Sequence, residues 1–110
     1  MASTPEGKVK GKIVQVLKAA RAWYFMPVQT GMGKTGVPDV VACLPVTITE
    51  EMVGKTFGLM FAVEAKAPGR EASVTVLQRK NLDAINEAGG VAFVASCAEE
   101  VKARMVQLMD

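Results

Sequence analysis

Two acidic side chains, Asp39 and Glu64, are the first candidates for chemistry in this chain. Asp39 follows a proline at the start of the apolar run 37–44, and Glu64 stands before Ala65 and Lys66 at the end of another apolar segment. Side chains alternate faces along a β-strand, so Glu64 and Lys66 are expected on one face and Ala65 on the other. If the two segments pair as neighbouring strands, the two carboxylates converge and need a cation between them. Oxygen ligands of this kind favour Mg²⁺ or Mn²⁺.

Lys66 adds a positive charge on a long, flexible stem. Such a group can orient an attacking water or stabilise the charge that develops on a phosphorane. Asp39, Glu64 and Lys66 therefore predict a divalent-metal site for phosphodiester hydrolysis. A purely structural explanation exists for each residue: Asp39 could cap a turn after its proline, and Glu64 could form an ion pair with Lys66. That pair would satisfy the charge of a carboxylate in an apolar strand, but it leaves Asp39 unexplained.

Gln78 and Glu6 are two further candidates, each in the first part of a predicted helix. The amide of Gln78 is expected to reach the same site from above the sheet, although such a residue alone is more often a solvated helix residue. Glu6 has an ordinary role opposite the positive end of the helix dipole. A contact from Glu6 to the metal or its water requires the first helix to pack across the strand face that bears Asp39 and Glu64.

Charge is distributed unevenly, although the formal net charge is only +2. Residues 1–37 contain six basic side chains and one acid, whereas the remainder contains seven basic and ten acidic groups. A basic segment beside a metal site suits a phosphate-bearing partner, while a solvated helix face explains the same charges equally well. The side chains expected to contact a nucleic-acid backbone are Lys8, Lys12, Lys34 and Arg70.

The chain contains no histidine, which excludes several enzyme classes. Ser-His and Cys-His triads, zinc hydrolases with histidine ligands and nucleases with a histidine base are all ruled out. Cys43 and Cys97 lie in apolar surroundings without a Cys-x-x-Cys partner, so both are predicted to be buried free thiols.

The segment 33–35 reads Gly-Lys-Thr, which raises the question of a phosphate-binding loop. The Walker pattern requires glycine at position 28, where this chain has Val28, and it requires a helix where an apolar strand is predicted here. No nucleotide cofactor is therefore expected. A loop whose backbone amides and Lys34 contact a nucleic-acid backbone fits the segment better.

The N-terminus is polar and no apolar run reaches the length of a transmembrane helix, so the chain is expected to be cytoplasmic, without a membrane partner. Its 110 residues suit one domain. Periodicity and turn residues predict an α/β fold in the order α-β-β-β-α-β-α. The predicted helices cover 4–20, 73–88 and 98–108, and the predicted strands cover 22–28, 37–46, 56–65 and 91–96.

Apolar spacing also predicts which side of each helix is buried. For the first helix the expected core positions are Val9, Ile13, Val16 and Leu17. For the second they are Val74, Leu77, Leu82 and Ile85. Gly89-Gly90 is expected to end the second helix.

Several short motifs occur in an order that resembles one nuclease family. They are Thr4-Pro5-Glu6-Gly7, Tyr24-Phe25-Met26-Pro27, Gly36-Val37-Pro38-Asp39, Val63-Glu64-Ala65-Lys66, Gln78 and Ala88-Gly89-Gly90-Val91. Together they resemble the VRR-NUC branch of the PD-(D/E)xK nucleases, particularly its small stand-alone members from phages and bacteria. The resemblance spans nearly the whole chain, which would then form a single nuclease domain over 1–110.

The resemblance implies a restriction-endonuclease-like core, with a mixed β-sheet flanked by helices. Asp39, Glu64 and the backbone carbonyl of Ala65 would bind Mg²⁺ or Mn²⁺, and Lys66 would position the nucleophilic water. Gln78 would support the site, and Glu6 matches the first-helix glutamate of the family.

Members of this family resemble Holliday-junction resolvases, so the implied activity is a metal-dependent DNA endonuclease that prefers branched or junction DNA. The alternative is a non-catalytic nucleic-acid-binding module with the same fold. A homodimer is expected, with the last-helix residues Val101, Met105 and Leu108 as one candidate contact; packing on the chain's own sheet explains them equally well. The connection 45–57 is longer than the short turn usual in the family.

Overall fold

A computed structural model describes residues 4–28, 36 and 38–109. Across these residues the protein combines three α-helices with four short strands, which confirms the predicted α/β class. Of the described helices, none is long and apolar enough to cross a membrane. The helices are α1 (Pro5–Ala19), α2 (Val76–Glu87) and α3 (Ala98–Met109), and the strands are β1 (Trp23–Phe25), β2 (Val41–Cys43), β3 (Phe61–Ala65) and β4 (Val91–Ala95).

The chain divides into two compact units, Met1–Lys55 and Thr56–Asp110. The first unit contains α1 and an antiparallel pair of strands, in which Trp23 of β1 lies opposite Cys43 of β2. The second contains α2, α3 and a parallel pair, in which Glu64 of β3 lies opposite Val94 of β4. β2, which follows Asp39, pairs with β1, and β3, which contains Glu64, pairs with β4. Within the described residues the segments of Asp39 and Glu64 therefore do not pair as neighbouring strands, contrary to the arrangement considered from the sequence.

The start of α1 follows from its sequence as predicted. The Thr4 hydroxyl accepts a hydrogen bond from the backbone N–H of Gly7 at 2.9 Å, Pro5 occupies the first helical position and Glu6 lies in the first turn. The hydroxyl satisfies a donor that the helix leaves unpaired, and the acid interacts favourably with the helix dipole. These local interactions fix where α1 begins, and hence where Glu6 lies.

The predicted core side of α1 is wrong for three of its four positions. Val9, Ile13 and Val16 are exposed, and Leu17 is only half-buried. Periodicity identifies the apolar side of a helix, but burial requires another element against that side. In the first unit, the described residues leave three of these apolar side chains of α1 exposed.

The second unit has a βαβ arrangement, because α2 connects the parallel strands β3 and β4. Its core contains small and medium apolar side chains: Leu82, Ile85, Ala88, Ala92 and Ala95. The prediction is confirmed for Leu82 and Ile85 and wrong for Leu77, which is 67% exposed. Since α2 begins at Val76, three residues later than predicted, Leu77 lies in its first turn.

The C-terminus of α2 is closed by glycine and asparagine. Gly89 has a φ of +98°, and Gly89 and Gly90 donate backbone hydrogen bonds to the carbonyls of Asn86 and Ile85 at 3.1 and 3.0 Å. This is a Schellman motif, and it confirms the predicted helix end. The Asn86 side chain then bonds both backbone groups of Ala92, donating at 2.9 Å and accepting at 2.8 Å.

A carboxylate orders the turn from β4 into α3. Glu100 accepts hydrogen bonds from the Ser96 hydroxyl at 2.8 Å, the Ser96 backbone N–H at 3.2 Å and the Cys97 thiol at 3.4 Å. These donors, the Ser96 hydroxyl first, hold the pKa of Glu100 below its ordinary value. Cys43 is buried as predicted, but Cys97 is exposed, because it lies in this turn rather than in the core.

The predicted strands were too long. β3 begins at Phe61 rather than at 56, and β2 begins at Val41 rather than at 37. The connection 47–55 contains a short 3₁₀ turn at Glu50–Met52. Val37 lies outside the described residues. Apolar composition alone overestimates strand length, because hydrogen-bonded pairing decides where a ladder ends.

The two hydrogen bonds between the Asn86 side chain and the Ala92 backbone are expected to contribute measurably to stability. Replacing Asn86 with Ala removes two part-buried hydrogen bonds, each worth about 0.5–1.5 kcal/mol, so the free energy of unfolding should fall by about 2 kcal/mol. Lys80→Ala in the same helix changes an exposed side chain, and should cost less than about 0.5 kcal/mol. Urea unfolding of both variants measures the two changes in the free energy of unfolding. Equal losses would mean that the Asn86 hydrogen bonds add no stability of their own.

Candidate active site

Glu6 and Asp39 lie on either side of one ammonium group in the first unit. The Lys10 Nζ is 3.3 Å from Oε2 of Glu6 and 3.9 Å from Oδ1 of Asp39. The contact to Glu6 follows from helical spacing, because residues i and i+4 are neighbours on a helix surface. The contact to Asp39 shows that α1 lies beside the segment leading into β2.

The two carboxylates of this cluster are open to solvent. The side chains of Glu6 and Asp39 are 76% and 65% exposed, whereas that of Lys10 is only 33% exposed. Exposed ion pairs of this kind contribute little to stability. Their accessibility means that a dissolved cation or a phosphate can reach the group. Asp39 itself lies in a bend before β2 rather than in the strand, where the sequence analysis placed it.

Glu64 and Lys66 occupy one face of the second unit's sheet, as strand alternation predicts. Glu64 Oε2 lies 3.8 Å from Lys66 Nζ, and the two side chains are 30% and 18% exposed. Lys66 also continues the ladder beyond β3, since its backbone N–H donates to the carbonyl of Ala95 at 3.0 Å. The distance is long for a charge-assisted hydrogen bond, so this is a loose ion pair.

Gln78 has a structural function that the sequence analysis missed. Its side-chain oxygen accepts a hydrogen bond from the Thr75 backbone N–H at 3.0 Å, and the Thr75 hydroxyl accepts one from the Gln78 backbone N–H at 3.0 Å. These reciprocal bonds form a capping box at the start of α2. The signal was present as Thr-x-x-Gln before an apolar run. The capping bond fixes the orientation of the Gln78 amide.

Lys10 was also missed, because it was counted with the other lysines of a solvated helix face. Its i, i+4 spacing from Glu6 was the available signal for one of its two contacts. Nothing in the sequence marks the contact to Asp39, which depends on tertiary packing.

Three of the four basic residues predicted to contact nucleic acid lie within the described residues. Lys8 and Lys12 are exposed on α1, and Arg70 is exposed between β3 and the 3₁₀ turn Glu71–Ser73. Lys34 and the Gly-Lys-Thr segment lie outside the described residues. The three described side chains are accessible to a phosphate backbone.

The donor atoms of the candidate site suit a hard divalent cation. Carboxylate oxygens of Asp39 and Glu64, together with a backbone carbonyl such as that of Ala65, are the ligand types that Mg²⁺ and Mn²⁺ prefer. Within the part of the chain that the structure describes, no three His, Cys, Asp or Glu side chains form a metal-binding group.

Comparison with family models, with curated proteins and with solved structures finds no match to this chain. The motifs and the geometry of their residues are therefore what bears on the function of this protein.

Substitutions at Gln78 test its capping function. Gln78→Ala should lower the free energy of unfolding by about 1 kcal/mol, since it removes half of the capping box. Gln78→Glu keeps an acceptor at the same position and adds a charge that the helix dipole favours. Thermal unfolding should show Gln78→Glu close to wild type. A loss as large as that of Gln78→Ala would mean that the capping bond is unimportant.

Proposed function

We propose that this protein is a divalent-metal-dependent DNA endonuclease with a restriction-endonuclease-like core. The observation that carries the proposal is the pairing of Glu64 and Lys66 on one face of β3, within the sequence Val-Glu-Ala-Lys. A half-buried carboxylate and ammonium at strand spacing supply a metal ligand and a cation for phosphate chemistry. The shared contact of Glu6 and Asp39 with the Lys10 ammonium supports the same interpretation.

Asp39, Glu64 and the carbonyl of Ala65 are the proposed ligands of Mg²⁺ or Mn²⁺. When bound, such an ion activates a water and neutralises the scissile phosphate. Glu64 is 30% exposed and lies on a strand, so its carboxylate is held in a defined direction yet remains accessible to an ion. Glu6, on the first turn of α1, is proposed to contact the ion or its water.

Lys66 is proposed to orient the attacking water. Its side chain is only 18% exposed, so the ammonium is directed by its surroundings and not by bulk solvent. Its loose contact with Glu64 leaves the ammonium donors able to turn toward a water or a phosphate oxygen. Gln78 is proposed to support the site through the orientation that its capping bond imposes.

DNA binding is proposed to involve phosphates more than bases. Lys8, Lys12 and Arg70 are exposed, and such basic side chains position a nucleic-acid backbone without reading its sequence. Binding should therefore weaken strongly with salt. The preference for branched or junction DNA comes from the family resemblance.

A homodimer is proposed because cutting two strands symmetrically requires two active sites. Met105 and Leu108 on α3 are each 44% exposed, whereas Val101 is half-buried. Met105 and Leu108 also line an apolar groove of about 360 Å³, together with Phe57, Leu59, Phe61 and Met109. Phe57 lies at the end of the long connection 45–57, which is thus a candidate part of the dimer contact.

The second candidate is a non-catalytic nucleic-acid-binding module. The observation that favours it is the same Glu64–Lys66 contact at 3.8 Å, since an ion pair can satisfy both charges without a metal. This module would bind DNA independently of divalent ions and would not cut it.

Cleavage of labelled four-way junction, splayed-arm and linear duplex DNA in Mg²⁺, Mn²⁺ or EDTA tests the proposal. Glu64→Gln, Asp39→Asn and Lys66→Met should each lower cleavage on the order of 10²–10³-fold, since each removes a charge at the reacting phosphate. Glu87→Gln, at the exposed end of α2, is the matched control and should cleave like wild type.

Full activity of Glu64→Gln would contradict the proposed site. DNA binding by the wild-type protein without cleavage in any divalent ion would instead support the non-catalytic module.

A further inference from the structure

We propose that Lys10 is the internal counter-ion of Asp39 and Glu6 in the metal-free protein, and that metal binding releases its ammonium to a phosphate of the substrate. This inference rests on the proposed function, because it concerns the same metal site. It adds a positioning residue that neither the motifs nor the family resemblance identifies.

The first argument is the position of the ammonium. Among the described residues, Lys10 is the only basic side chain within 4.0 Å of two different acids, Glu6 at 3.3 Å and Asp39 at 3.9 Å. Its side chain is about half as exposed as either carboxylate, so its stem lies along the protein surface while the acids face solvent. The Lys10 ammonium thus lies where the carboxylates of both Glu6 and Asp39 attract a cation.

The second argument is electrostatic. A divalent ion bound to Asp39 requires oxygen ligands at roughly 2.0–2.1 Å. An ammonium 3.9 Å from the same carboxylate would then stand only a few ångströms from the ion, and the two positive charges repel. The lysine stem can turn away, whereas the metal cannot leave its ligands without losing its binding free energy. Metal and ammonium therefore compete for Asp39.

The third argument concerns where the released ammonium goes. Lys10 remains attached to α1, next to the candidate metal, so its ammonium stays close to any phosphate that the metal binds. A phosphate that contacts the metal would give the Lys10 ammonium a new negatively charged partner in place of the carboxylates. Lys8 and Lys12 on the same helix are exposed, so the ammonium of Lys10 would join a basic surface that already suits a nucleic-acid backbone.

Calcium titration in the absence of DNA tests the competition, since Ca²⁺ takes the same oxygen ligands. Removing the competing charge in Lys10→Met or Lys10→Gln should tighten Ca²⁺ binding roughly tenfold, the effect expected of one unit charge about 6 Å from a doubly charged ion in water. Lys10→Arg keeps the charge and should bind like wild type. Lys18→Met removes a lysine from the last turn of α1, and serves as the control without a contact to Asp39. Asp39→Asn should abolish the binding.

DNA binding in Ca²⁺ tests the release. Lys10→Met should weaken binding of a short duplex roughly five- to tenfold in Ca²⁺ and reduce the salt slope by about one, but should change it little in EDTA. Lys18→Met should show no such dependence on the ion.

The outcomes separate this inference from the proposed function. If wild type binds Ca²⁺ through Asp39 and both Lys10→Met and Lys10→Gln bind it no more tightly, the inference is wrong and the metal site stands. If wild type binds no divalent ion, the proposed function and the inference are both overturned. Circular dichroism of the variants shows whether α1 is retained, and two different neutral side chains guard against an effect of one replacement.

Discussion

The pairing of a carboxylate with a lysine ammonium is the interaction on which the candidate site depends, because Glu6, Asp39 and Glu64 each lie within 4.0 Å of such a group. In the first unit Lys10 supplies the charge for Glu6 and Asp39, and in the second Lys66 supplies it for Glu64. Each acid proposed to act in the site is therefore already paired in the metal-free protein. The proposed divalent ion would replace the charge of Lys10 beside Asp39, whereas Lys66 would stay beside Glu64.

The elements that hold these residues are short, and they depend on local interactions at their ends. The Thr4 cap fixes the first turn of α1 and with it Glu6. The capping box at Thr75 and the Schellman motif at Gly89 define both ends of α2, the helix that connects β3 to β4. The small core at Leu82 and Ile85 then secures that helix against the strands. The positions of the candidate residues thus depend on helix ends and turns more than on a large hydrophobic core.

Features that depend on a few neighbouring residues could be predicted from the sequence. The start of α1, the end of α2 and the shared face of Glu64 and Lys66 follow from capping, glycine conformation and strand alternation. Features that depend on tertiary packing could not. The exposure of Val9, Leu77 and Cys97 depends on what packs against them, and the contact of Lys10 with Asp39 joins residues from separate elements. Gln78 is different, because its capping signal was local and was overlooked.

The central proposal is that Asp39 and Glu64 ligate the same divalent ion. Titrating Mn²⁺ into ¹⁵N-labelled protein tests it, because the paramagnetic ion broadens the amide signals of residues near its site. The account predicts that signals around Asp39 and signals around Glu64–Lys66 broaden together at one equivalent of Mn²⁺, and that Asp39→Asn abolishes both effects. Broadening around only one of the two acids, or an unchanged effect in Asp39→Asn, would contradict it.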